Sequence, residues 1–383
     1  MISASPNLYR KIGAERSIDP QIIERALKQA GPPESRGLPA VLTLRHLAHL
    51  TGASYSYLRQ IVERSSDAYK PFLIRKRRGG ARAISAPEPQ LAAVQKWIAI
   101  NILNKLRPHV ASSAYAPGSS PIHCATRHLG ATWVVKVDIH DFFESISERS
   151  VYDVFRGAGY QPLIALEFAR LCTRLPHGQE AGNSKWRIQR RGSGTIKPYR
   201  TWAVGHLPQG APSSPMLANL TSLRLDSVLQ ALADRNGLTY TRYSDDIVFS
   251  TGGYFDGKRA GTLLNEVDRI FKSFGHALHR KKVSVAPPGA RKVVLGLLVH
   301  GDRLRLTKDY RARLADHVRG LDRFGLAAHA EHRDFASIWG MVRHVRGLLN
   351  YAIAVEGLEA MDSLRKKLDA VLAREGWPNL PKA

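Results

Sequence analysis

Residues 238–250 read LTYTRYSDDIVFS, two short apolar runs joined by Tyr243-Ser244-Asp245-Asp246. Runs of this length flanking a polar turn form a β-hairpin. The hairpin then carries two adjacent carboxylates at its tip, which repel one another unless a cation lies between them. Oxygen-only ligands of this kind suit Mg²⁺, with Mn²⁺ an acceptable substitute. A third acid, Asp138, ends another apolar strand in VVKVDIHDFF. One carboxylate from a separate strand meeting two from a hairpin is the minimum for two-metal phosphoryl transfer, with ions roughly 3.5–4 Å apart. Asp-Asp alone would be an ordinary turn dipeptide. The apolar strands on both sides and the third acid set this one apart.

These acids stand out because acids are scarce. The chain has 383 residues with 57 Lys+Arg against 32 Asp+Glu, a formal charge of +25. Such a charge repels itself unless a polyanion neutralises it, so nucleic acid is the expected partner and an anionic membrane surface the second choice. An apolar fraction of 44% excludes a disordered chain. No apolar run reaches the roughly 18–20 residues that cross a bilayer, and MISASPNLYRKIGAERS lacks a signal core. The expectation is a cytoplasmic protein with no membrane partner. Cys124 and Cys172 stand alone and give neither a disulfide framework nor a zinc site.

Helical spacing covers 18–31, with Asp19-Pro20 as start and Gly31 as stop, then 43–49 and 54–64. We expect residues 1–68 to form a helical region packed on the domain C-terminal to it. Phe72–Ile74 and Ala83–Ser85 flank a Gly-Gly turn and read as a hairpin, after which Pro87 opens a helix. A strand covers 132–137 and two helices 148–173. Residues 174–202 hold seven Lys/Arg and one acid, a basic insertion. Helix is expected over 212–232 and 260–274, strand over 283–286 and 293–300, and helix from 307 to about 375.

At this point the residues resemble a family. Tyr243-Ser244-Asp245-Asp246 resembles the Y-x-D-D signature of reverse transcriptases, and VVKVDIHDFFESI their first palm motif. LPQGAPSSPMLANL (207–220) is similar to their L-P-Q-G-x-x-x-S-P block. GHALHRKKVSV resembles the G-x-x-L-N-x-x-K-T segment, with His279 where Asn is usual. FLIRKRRGGARAISAP resembles the fingers hairpin. The five blocks stand in family order across most of residues 70–300. Within the family the resemblance is to bacterial retron reverse transcriptases, through Cys124-Ala125-Thr126-Arg127-His128, similar to N-A-x-x-H, and Val294-Leu295-Gly296, similar to V-T-G. Cys124 and Leu295 depart from those patterns. From its length we expect no maturase or endonuclease extension of the kind group II intron proteins carry.

The resemblance implies an α+β right-hand polymerase: fingers over 69–130, with the 1–68 helices packed on them, palm with a small antiparallel sheet over 131–300, and a helical, RNA-binding thumb over 301–383. It implies that Asp138, Asp245 and Asp246 bind the metals, joined by the backbone carbonyl of Ile139, and that Lys282 protonates the leaving pyrophosphate. Lys76 and Arg82 correspond to the cations that close on the triphosphate. Phe143, five residues after Asp138, corresponds to the ring that excludes the ribose 2′-OH. Gln209 corresponds to the glutamine beside the nascent base pair, and Gly210 lets the chain approach the duplex. His128 is expected to be structural or RNA-contacting. Further RNA contacts are expected from Arg187, Arg190 and Arg191 in the insertion, from Gly296, and from Tyr310, Arg311, Arg313 and Arg319 along one helix.

The implied function is RNA-directed DNA synthesis from dNTPs. The template and primer would be one structured noncoding RNA, extended from the 2′-OH of a branching guanosine to give branched RNA–DNA (msDNA). The family commonly acts in anti-phage defence with an effector protein. Two alternatives stay open: another bacterial reverse transcriptase, of a different defence type or CRISPR-associated, and a catalytically silent RNA-binding scaffold.

Overall fold

The computed structural model describes residues 6–75, 81–176 and 203–377. Its centre is a four-stranded antiparallel sheet built from β3 (Trp133–Asp138), β4 (Thr239–Tyr243), β5 (Asp246–Thr251) and β6 (Ser284–Ala286), in the order β4-β5-β3-β6. Its register pairs Val135 with Phe249, Val137 with Ile247 and Tyr240 with Phe249. Directly opposed residues share a face, and these enter one large apolar cluster with Phe168, Leu217, Leu229 and Phe271. The alternate residues, among them Val134 and Val248, belong to a second cluster with Leu314, Val318 and Val345. Both faces of the sheet are therefore covered at one end. Period-two alternation places Lys136, Asp138, Asp246, Thr241 and Ser250 on that second side.

Helices back the first face: α8 (Glu148–Gly157), α9 (Pro162–Cys172), α10 (Ser214–Thr221), α11 (Leu223–Arg235) and α12 (Gly257–Ser273). Ahead of them come α1 (Pro6–Glu15), α2 (Pro20–Glu34), α3 (Leu44–Thr51) and α4 (Tyr55–Val62). Leu44, Leu47, Leu58 and Ile61 join the same cluster as Val135 and Phe249, so α3 and α4 share the sheet's core. A buried ion-pair network adds to that packing. Glu148 accepts from Arg64 at 2.6 Å and from Arg170 at 3.1 Å, and these two arginines hold its carboxyl below the usual range although burial works the other way.

Next to this core, β1 (Tyr69–Arg75) and β2 (Ala81–Pro87) form an antiparallel hairpin, with α5 (Pro89–Asn101) after it. The C-terminal part packs α13 (Lys308–His332), α14 (Ile338–Glu356) and α15 (Leu358–Arg374) on a small sheet of β7 (Val293–Val294), β8 (Leu297–Leu298) and β9 (Arg305–Leu306). The remaining α-helices are α6 (Pro121–Thr126) and α7 (Phe142–Ser145), and Leu103–Lys105 and Arg280–Lys282 are single 3-10 turns. Among the described residues no helix is long and apolar enough to cross a membrane.

Four details differ from the sequence reading. Helix α2 does not stop at Gly31 but runs through Pro32 and Pro33 to Glu34. A proline in a helix interior loses the bond its missing N–H would make and crowds the carbonyl four residues back, but both prolines here lie in the last turn, where the Ser35 and Leu38 N–H groups close the end on the Gly31 and Pro33 carbonyls. Pro87 ends β2 opposite Tyr69, and the helix starts at Pro89. The expected strand over 293–300 is a hairpin, because Leu295 and Gly296 both adopt positive φ (47° and 80°) and reverse the chain. Helix α13 is broken at Gly325 (φ 77°), a conformation open to glycine at little cost.

Candidate active site

Three segments bring the acids together. Asp138 is the last residue of β3 and pairs with Asp246, the first residue of β5. Asp245 precedes it in the turn, where Ser244 takes φ 60° and reverses the chain. The two segments are fastened where the acids sit: Ile139 N–H donates to Asp245 O at 3.1 Å, and His279 N–H donates to Asp138 O at 2.8 Å. The second bond brings in residues 280–282, from which Lys282 Nζ reaches Asp138 Oδ2 at 2.7 Å.

The electrostatics follow from this crowding. Burial, then Asp245 and Asp138, push the Asp246 carboxyl up to about 6. Burial also raises Asp138, against the opposing pull of Lys282, with Asp245 adding to the rise. Burial works to lower the Lys282 ammonium, but Asp138, Asp245 and Asp246 outweigh it and raise it. Negative charge here thus exceeds the positive charge the side chains supply. Among the described residues no group of three or more His, Cys, Asp or Glu side chains is gathered as a metal cage. An all-carboxylate donor set with one oxygen held by an ammonium fits a hard cation that keeps waters and takes its other oxygens from substrate phosphates.

A buried arginine supports the turn. Arg242 and Asp226 on α11 are both fully buried and pair at 2.6 Å, Tyr240 donates to the same carboxylate, and Arg242 Nη1 donates to Ser244 O at 3.2 Å. Sequence reasoning missed Arg242, although an arginine between Tyr240 and Tyr243 in an apolar strand was its visible signal. It also missed His276, whose Nδ1 lies 2.8 Å from Ser145 Oγ beneath Phe142, and Tyr115, whose hydroxyl donates to Ser244 Oγ at 2.7 Å.

The other expected residues fall in several places. Phe143 is half-buried on α7 beside the site, its ring 5.7 Å from Phe142 and 6.4 Å from Tyr115. Gln209 is held by its carbonyl, which accepts from Ser85 N–H at 2.8 Å. Gly210 has φ 113°, and a Cβ there would come within 2.7 Å of Ile84. The close approach that this glycine permits is to strand β2, which also carries Arg82, exposed opposite Ile74. Lys76 lies outside the described residues, as do Arg187, Arg190 and Arg191. Arg174, counted with the basic insertion, is buried and donates to Ser85 and Asp67.

His128 is 1% exposed, with Nδ1 2.6 Å from Ser250 Oγ and Nε2 2.7 Å from Thr241 Oγ1. Both ring nitrogens are engaged inside the fold, so of the two roles expected for it the packing one matches its position and an RNA contact does not. Gly296 forms the exposed turn between β7 and β8. On α13, Tyr310 donates to Leu348 O, Arg313 stacks over Tyr310, Arg311 pairs with Glu356 and Arg319 pairs with Asp316. These residues carry protein contacts along the helix as well as charge.

The family model of the reverse transcriptase (RNA-dependent DNA polymerase) matches residues 74–297, a span that holds Asp138, Asp245, Asp246 and Lys282. The chain belongs to the reverse transcriptase family. Its relatives place it in the retron-type branch. It is 35% identical over 277 residues to the retron Mx162 reverse transcriptase of Myxococcus xanthus, covering 70% of this chain and 55% of that one. It is 27% identical to the retron Ec86 reverse transcriptase of Escherichia coli, covering 84% and 87%. It is 30% identical to the retron Mx65 reverse transcriptase of Myxococcus xanthus, covering 85% and 73%. The chain thus spans about half the length of the Mx162 enzyme and most of the other two. Among solved structures it is similar to a telomerase from Candida albicans in complex with a fragment of telomeric RNA, at 11% identity and TM-score 0.43 over 80% of this chain and 63% of that one. A foamy viral protease-reverse transcriptase in complex with double-stranded DNA is similar at 13% identity and TM-score 0.40, over 82% and 44%. The family assignment rests on the sequence matches. With it the fold class is the α+β right-hand polymerase.

Proposed function

We propose that this chain is an RNA-directed DNA polymerase of a retron, with the β1–β2 hairpin in its fingers, the central sheet as its palm and the C-terminal helices as its thumb. The observation that carries the reading is the pairing of Asp138 with Asp246 across β3 and β5, with Asp245 in the turn and Lys282 on Asp138. Asp138, Asp245 and Asp246 would hold Mg²⁺, with the Ile139 carbonyl as a further ligand. Bound there, divalent cations supply a lowered pKa at the primer hydroxyl and charge neutralisation at the leaving pyrophosphate.

The chain's own residues do the rest. Lys282 holds a proton next to the acids and would give it to pyrophosphate. Lys76 and Arg82 would grip the triphosphate, and Gln209 the base pair. Phe143 would meet a ribose 2′-OH and so favour dNTPs. The +25 charge provides the long-range attraction for an RNA template and its cDNA.

Retron-type membership supports a structured noncoding RNA as both template and primer, a 2′-OH of a guanosine as starting point and msDNA as product, with an anti-phage effector as a protein partner. A silent scaffold is disfavoured by the acids themselves, since a protein that only binds RNA gains nothing from crowding carboxylates in a basic fold. The test is primer extension by the purified full chain on RNA with dNTPs and Mg²⁺. We expect template-directed DNA that EDTA abolishes. Absence of incorporation on any RNA, including RNA that co-purifies with the protein, would overturn the proposal.

A further inference from the structure

Tyr115 (φ 65°) and Ser244 (φ 60°) both adopt left-handed backbone beside the site, and their side chains meet. This conformation is costly for a bulky residue and persists only where the surroundings hold it. The surroundings here are specific. Residues 111–113 run parallel to the free edge of β4, with Arg242 N–H donating to Ala111 O at 2.9 Å and Ser113 N–H donating to Arg242 O at 2.8 Å. Asn219, from the LPQG block's helix, donates to Ala114 O at 2.6 Å. The segment that delivers Tyr115 is thus an added edge of the palm sheet. Its register is set by the same arginine that holds the Ser244 carbonyl.

So placed, Tyr115 touches two parts of the site at once. Its hydroxyl donates to the buried Ser244 hydroxyl, one residue before Asp245. Its ring stands 6.4 Å from Phe143 at 51°, while 42% of the residue stays exposed. Asp245 is near enough to help raise the Tyr115 phenol, after burial as the main cause. A ring can exclude a hydroxyl group only if it cannot swing away when pushed. Phe143 is packed against Phe142 on one side and has Tyr115 on another.

We propose that Tyr115 is a positioning and specificity-determining residue of the polymerase site: its ring backs Phe143 and so sets discrimination between deoxyribose and ribose, while its hydroxyl fixes the Ser244 turn that presents Asp245. The first half rests on Phe143 being the sugar gate.

The two halves separate by substitution in single-nucleotide extension with dNTPs and rNTPs on the full chain. Tyr115→Phe keeps the ring, so discrimination stays within about twofold of wild type. It loses the hydrogen bond, so kcat for dNTP falls by about two- to tenfold at little changed KM. Ser244→Ala gives the same loss, and adding it to Tyr115→Phe costs nothing more. Tyr115→Ala frees Phe143 and raises relative rNTP use by about tenfold or more. If that variant does not fold, Tyr115→Leu, which keeps bulk but not the flat face, carries the same expectation.

Phe143→Ala is measured alongside. Relaxed selectivity in Phe143→Ala with unchanged selectivity in Tyr115→Ala or Tyr115→Leu overturns the backing role and leaves the gate intact. Unchanged selectivity in Phe143→Ala overturns the gate and the backing role together. Full kcat in Tyr115→Phe, or additive losses with Ser244→Ala, overturns the role of the hydroxyl.

Discussion

Lys282 lies 144 residues beyond Asp138 in the chain and places its ammonium 2.7 Å from Asp138 Oδ2. On the proposed reading, a cation entering the site would compete with Lys282 for an Asp138 oxygen. Replacing Lys282 by Met removes both the competitor and a nearby positive charge, so Mn²⁺ should bind more tightly to the nucleotide-free protein, as read by titration calorimetry. The same variant should lose about 10²–10⁴-fold in the rate of nucleotide addition if Lys282 is the general acid. Weaker Mn²⁺ binding would mean that Lys282 assembles the acids instead of competing for them.

The buried pair of Arg242 and Asp226 predicts a stability effect with a marked asymmetry. Asp226→Asn or Arg242→Met alone leaves an uncompensated charge where neither partner is exposed, at a cost of about 3–5 kcal/mol in urea unfolding. Asp226→Leu combined with Arg242→Met should recover a good part of that loss. It would not recover activity, because Arg242 also holds the Ser244 carbonyl. A double variant no more stable than either single one would contradict this account.

Buried His128 and part-buried His276 contribute to the acid side of the stability profile. Burial lowers His128 to about 4 and His276 to about 4 from an ordinary value of 6.5. Below pH 6.5 the unfolded chain takes up protons that the folded chain refuses, so stability falls as pH drops and the loss is complete near pH 4. For His128, almost wholly buried, the full span is on the order of 3 kcal/mol. His128→Gln should flatten the slope between pH 6.5 and 4. An unchanged slope, measured by denaturation at several pH values, would show that His128 titrates normally.

The basic insertion makes a prediction about RNA. Deleting residues 177–202, and so sparing the buried Arg174, should weaken RNA binding and reduce the slope of log affinity against log salt. Equal affinity and slope would assign the segment another role.

The sequence made some of this legible for a physical reason. Asp138, Asp245 and Asp246 are scarce acids at the ends of apolar strands, and strand periodicity is local, so their strands could be read directly. Phe143, Gln209 and Lys282 were legible only because they sit at fixed offsets in blocks that resemble a family. Tyr115 was not legible, and Arg242 stood out as an arginine in an apolar strand without its role being readable. Their roles depend on a parallel edge contact between residue 112 and residue 242, a pairing with no local signature. The hairpin at Leu295-Gly296 was missed because Gly296 is the one break in an otherwise apolar run over 293–299, and a lone glycine in a strand pattern marks a bulge as readily as a turn. His128 illustrates the opposite limit. The motif marked the position, but its two hydroxyl partners come from β4 and β5 and only the fold supplies them.

The central claim is that Asp138, Asp245 and Asp246 act together on a divalent cation. The most direct measurement is dNTP incorporation on an RNA template by purified Asp245→Asn, Asp246→Asn and the double variant, with RNA affinity measured in parallel. The account predicts loss of synthesis in the double variant with RNA binding retained. Undiminished synthesis by that protein would contradict it.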